Sequence, residues 1–95
     1  MTSDEWEQSI RDNAVAYNVV MFQPGTSSKV YQSFEELDHA IIYSRVTLEQ
    51  VNRIRSAMIY AISEEGRHAL VGTMNRNDLN FKEVQVKQKG KKNVG

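Results

Sequence analysis

Between Leu48 and Glu65 the chain runs without a glycine or proline, and its apolar residues recur at helical spacing. At about 100° per residue, Leu48, Val51, Ile54, Met58, Ile59, Ala61 and Ile62 share one broad arc. Glu49, Asn52, Arg53, Ser56, Tyr60, Ser63 and Glu64 occupy the other. Gly66 follows, and glycine readily takes the left-handed conformation that closes a helix. The pattern predicts one amphipathic helix over 48–65. The competing reading is a hairpin with strands at 57–62 and 68–74 around Glu64-Glu65-Gly66. It leaves both faces of its first strand apolar and breaks the helical stripe where no Gly or Pro would break it, so helix is the expectation.

Helix starts support a second helix upstream. A Ser or Thr followed three residues later by Glu or Gln can satisfy two orphan backbone donors reciprocally. That pattern occurs at Ser33-Phe34-Glu35-Glu36 and at Thr47-Leu48-Glu49-Gln50. The connection Ser44-Arg45-Val46 is then so short that the two helices pack as an antiparallel pair. Thr2-Ser3-Asp4-Glu5 is a weaker match and opens a short helix to about Asp12, with Trp6 and Ile10 one turn apart.

Strand signals fill the remainder. Residues 14–22 are rich in Val, Tyr and Phe, with apolar side chains on both alternating faces. Pro24-Gly25 marks a turn into 29–33, residues 68–74 read as a third strand, Asn75-Arg76-Asn77-Asp78 as a polar turn and 81–88 as a fourth strand. The expected architecture is α+β in two layers: an antiparallel four-stranded sheet of two hairpins, a helical pair on one face and a short N-terminal helix. Residues 1–88 form its single domain and 89–95 a basic flexible tail.

Composition narrows function more by exclusion than by motif. The 95 residues are 40% hydrophobic and 25% charged, as in folded globular domains. With no cysteine, disulfides, thiolate catalysis, zinc-thiolate sites and iron-sulfur clusters are ruled out. Apolar runs such as Val19-Val20-Met21-Phe22 are far short of the ~20 residues a membrane helix needs. The start of the chain is acidic where a targeting peptide would be basic, so a soluble cytoplasmic protein is expected. Net charge is zero, but residues 1–47 hold three basic against seven acidic side chains and residues 48–95 hold nine against five. Such a dipole favours association with itself or with a charged partner.

No catalytic or cofactor constellation is present in the sequence. Asp38 and His39 are adjacent on a helix, so their side chains diverge and cannot act as a base with its orienting carboxylate. His68 has no triad or metal motif around it, and the pairs Glu35-Glu36 and Glu64-Glu65 sit at helix ends rather than across a cleft. The reading is therefore of a protein that is not an enzyme, with no metal and no cofactor. An enzyme or small-molecule site would need a pocket that collects His39, Tyr43, Arg55 or His68. Arg55 falls inside the apolar arc, and if it points inward Asp38 is its natural partner.

Surplus apolar and aromatic surface is the most informative feature. Phe34, Leu37, Ala40 and Ile41 form one stripe, while His39, Ile42 and Tyr43 project elsewhere. Tyr60 stands with Arg53 on the polar side of the predicted long helix, and Tyr and Arg are enriched at interface hot spots. The expected function is a small interaction module, homodimeric and contacting a protein partner, with an interface of Trp6, His39, Ile42, Tyr43, Arg53 and Tyr60. The alternative is a nucleic-acid-binding accessory protein using Lys82, Lys87, Lys89, Lys91 and Lys92. No aromatic residue interleaves with those lysines, so its contacts would be salt-dependent and weakly sequence-specific.

Overall fold

Alternation at period two governs the middle of the chain. The computed structural model describes residues 3–27 and 29–84, in the order α1 (Ser3–Asp12), β1 (Ala16–Phe22), β2 (Lys29–Phe34), α2 (Leu37–Gln50), β3 (Ser56–Ile62), β4 (His68–Asn75) and β5 (Asp78–Glu83). All neighbouring strands pair antiparallel, in the spatial order β2-β1-β3-β4-β5. The α+β class holds, and so does the N-terminal helix. The sheet has five strands rather than four, and one helix stands where a helical pair was expected.

The difference lies between Thr47 and Gly66. Residues 48–65 are not one helix: Leu48 belongs to the last turn of α2, and Ser56–Ile62 is the central strand of the sheet. Thr47 starts no helix, and Ser44-Arg45-Val46 is helix interior rather than a connection. The Ser33 pattern also serves no cap, because α2 begins after Glu36, which makes no side-chain capping bond. Gly66 carries φ +85, and its N–H donates to Ser63 O at 2.9 Å within the β3–β4 turn. A left-handed glycine suits this hairpin turn as well as it suits a helix end, so the residue alone does not distinguish them.

What stops α2 comes from a distant part of the chain. Its last turn has no basic residue, and the Val51 N–H closes on Thr47 O at 2.8 Å. Arg76, in the β4–β5 turn, donates through Nη1 to Leu48 O and, at 3.4 Å, to Val51 O, and through Nη2 to Asn52 Oδ1. A cation is thereby placed on the orphan carbonyls at the negative end of the helix dipole. Two more arginines tie helices to strands: Arg11 Nε donates to Leu70 O at 2.7 Å and Arg45 Nε to Leu79 O at 3.2 Å.

Both helices lie on one side of the sheet. Val19 and Met21 of β1, Ala57, Ile59 and Ala61 of β3, and Ala69, Val71 and Met74 of β4 are buried together with Ile10 of α1 and Ala40 and Leu48 of α2. Ala40, Ser44 and Leu48 recur every four residues along the buried side of α2, and Ser44 Oγ returns its hydrogen bond to Ala40 O at 2.8 Å. At Gly72 a side chain is excluded: a Cβ there would sit 2.6 Å from Lys82 O and against the Phe81 ring. The missing side chain lets β5 and its phenylalanine close over β4.

Candidate functional site: the open face of the sheet

A strand turns alternate side chains to opposite faces, so each residue buried under the helices implies a neighbour on the other side. Those neighbours line up in rows through the pairing register. The middle row runs Val30, Val20, Met58, Thr73, Lys82, and the next Ser33, Asn18, Tyr60, Leu70. Ala16, Ile62 and His68 continue it at one end, and Phe22, Ser56, Asn75 and Asp78 at the other. Neither α1 nor α2 covers these rows. Val30 is 52% exposed and Phe22 38%, while Val20, Met58, Tyr60, Ile62 and Leu70 are half-buried by their neighbours within the sheet.

The face is apolar in the middle and charged only along one edge. Among the described residues its formal charges are Lys82 and Asp78, both on β5, and Lys82 Nζ donates to Asp78 Oδ2 at 2.6 Å. That bond, followed by the Asn80 backbone N–H, holds the Asp78 carboxyl below the usual carboxylate range. Polar groups in the interior bond to one another: Ser33 Oγ donates to Asn18 Oδ1, and Tyr60 Oη lies 3.9 Å from Met58 Sδ. The tyrosine ring therefore lies along its own strand. Beside it, Asn18, Val20, Val30, Tyr60 and His68 line a shallow depression of about 320 Å³.

Of the six interface residues read from the sequence, Tyr60 alone falls on this face, on the central strand. Trp6 is 43% exposed on α1 beneath the Arg67 guanidinium, which lies 4.5 Å from the ring centroid, while Ile10 one turn on takes the core position. His39 and Ile42 are exposed on α2, on the helical side. Tyr43 packs its ring on Phe34 at 5.4 Å between centroids, and Arg53 is exposed in the turn leaving α2. Arg55 is not buried in a helix: it precedes β3 with an exposed side chain, its N–H donating to Phe22 O at 2.9 Å. His39 and His68 sit on opposite sides of the sheet and do not converge, while His68 lines the depression on the open face with Tyr60. Lys82 is on β5, whereas Lys87, Lys89, Lys91, Lys92 and the whole 89–95 tail lie outside the described residues.

Sequence reasoning missed Val20, Val30, Met58, Ile62 and Leu70. The signal was available: apolar residues on both alternating faces of 14–22, and the same feature in 57–62, where it counted against a strand. Elsewhere, a cleft of about 360 Å³ lies between Trp6 and the β3–β4 turn. In that turn the Ser63 hydroxyl, then the backbone N–H of Glu65 itself, and the nearby Arg67 charge hold the Glu65 carboxyl below its ordinary range. Among the described residues no three His, Cys, Asp or Glu side chains cluster to hold a metal ion, and no helix is long and apolar enough to cross a membrane. Compared with known proteins, the chain matches no family model, no curated protein and no solved structure.

Proposed function

We propose that this chain is a small non-enzymatic interaction module that holds a protein partner against the open face of its sheet. One observation supports this reading above the rest: β1, β3 and β4 present Val20, Met58, Tyr60, Ile62 and Leu70 on the side away from the helices, with formal charge confined to β5. A contiguous apolar patch rimmed by polar groups is the surface that protein contacts use.

Nucleic-acid binding has narrower support. Among the described residues Tyr60 is the one tyrosine, phenylalanine or tryptophan in the middle of the face, flanked by Asn18, Met58, Ile62 and Leu70, so successive bases have no row of stacking partners. Lys82 is engaged with Asp78, and Arg11, Arg45 and Arg76 are engaged with backbone carbonyls. A photo-crosslinking amino acid placed at position 58, and separately at position 42 on α2, tests the protein reading in cells that contain the protein. Discrete protein adducts from position 58 and none from position 42 are expected. Adducts from position 42 alone, or nucleic acid in place of protein at position 58, contradict it.

A further inference from the structure

We infer that the occupant of the open face is a second copy of this chain, packed sheet against sheet about a two-fold axis running parallel to β3. The inference rests on the open face being the binding surface and adds the identity of the partner. Size is the first argument. Five strands of six to eight residues, at about 4.8 Å between strands and about 3.4 Å per residue, make a face of roughly 500 Å². Two such faces bury about 1,000 Å², the lower limit for a specific interface, which corresponds to a reversible dimer rather than an obligate one.

Charge is the second. A two-fold contact sets each surface against itself, so a face with like charges in its middle would repel its own copy. Here the described middle has none, and the edge charges, Lys82 and Asp78, are paired with each other and lie over β2 of the second copy rather than over their own counterparts. Asn18 Oδ1 and the Tyr60 hydroxyl already bond within one copy, to Ser33 and Met58, so the Asn18 amide N–H groups and the Thr73 hydroxyl are the donors that a second copy has to meet.

Register supplies the third. An axis parallel to β3 places β3 over β3 of the second copy and β1 over its β4, because β1 and β4 flank β3 on either side. Met58 then meets its own counterpart, and Val20 meets Thr73 of the second copy, since Val20, Met58 and Thr73 share a row. Leu70 shares a row with Asn18 and Tyr60, so it arrives over the depression that Asn18, Val20, Val30 and Tyr60 line.

The chain has no cysteine, so single-cysteine variants of the full chain report contacts cleanly. Packed sheets lie about 10 Å apart, too far for a direct disulfide, so a bismaleimide with a short spacer is the probe. Sedimentation velocity of the unaltered chain from micromolar to millimolar concentration is expected to pass from monomer to dimer. Met58→Cys is expected to give a covalent dimer and Ile42→Cys none. Val20→Cys and Thr73→Cys should join to each other when mixed and not to themselves. Val20→Glu, checked by circular dichroism to be folded, is expected to weaken association by about 100-fold or more, because it buries an unpaired charge. A chain that stays monomeric at millimolar concentration overturns the second copy as occupant, while the position 58 and position 42 adducts decide separately whether the face binds another protein. A dimer joined through Ile42→Cys and not through Met58→Cys overturns it as well.

Discussion

The two faces of this sheet are built from the same strands and nearly the same residue types, yet only one is covered. On the helical side, Val19, Ala57, Ile59 and Ala61 are almost fully buried by Ile10, Ala40 and Leu48. On the other, Val20, Met58, Tyr60 and Ile62 alternate with them along β1 and β3 and have only each other. Residues one position apart therefore sit in different surroundings: the inner set is almost fully buried, and the outer set is half-buried. A strand apolar on both sides is expected where layers cover both faces. Among the described residues of one copy no second layer lies on that face, which gives the comparison its functional content.

The sharpest way to break the comparison is a pair of adjacent substitutions on β3. Ile59 is 1% exposed, and Ile59→Ala is expected to cost about 3 kcal/mol, near the middle of the range for emptied core sites. Met58→Ala, measured by urea unfolding at concentrations low enough for monomer, is expected to cost under about 1 kcal/mol. Equal losses would mean that the outer face is already part of a covered core.

A smaller effect concerns the charged rim of the outer face and its turns. Asp78 and Glu65 are both more acidic in the folded chain than in the unfolded one, the first chiefly through Lys82 and the second chiefly through Ser63. Lowered folded values mean that their stabilisation is complete above the ordinary carboxylate range and is lost as pH falls through it toward the folded values. The urea midpoint should therefore hold steady down to about pH 5 and fall below about pH 4. Because both groups are exposed, the combined Asp78→Asn and Glu65→Gln variant should lose only part of that acid limb. An unchanged limb would show that the rim carries no electrostatic stabilisation.

Much of the fold was legible because several signals were local. The Thr2-Ser3-Asp4-Glu5 pattern marked α1, Pro24-Gly25 marked the first hairpin, and residues 68–74, read as a strand, fall within β4. The break between α2 and β3 was not legible. It is made by Val51, Asn52 and Arg53 with no glycine or proline, and it is fixed by Arg76 from more than twenty residues downstream. No window of sequence around residue 51 contains that arginine. The site was hidden by the same error, because a segment apolar on both faces satisfies a broad helical arc as readily as it satisfies a two-sided strand. Once Ser56–Ile62 is extended, Met58 and Ile62 move from a helix stripe to the open face, and Tyr60 from a polar helix side to the centre of the sheet.

Methionine placement allows both faces to be watched at once. Met21 and Met74 lie buried under the helices, and Met58 lies on the open side. Carbon-labelled methionine methyl resonances, followed by NMR as the folded chain is diluted, report each site separately. The Met58 methyl is expected to shift with concentration while those of Met21 and Met74 stay fixed. A Met58 methyl that does not move, or three methyls that move together, would contradict an uncovered face that meets its own copy.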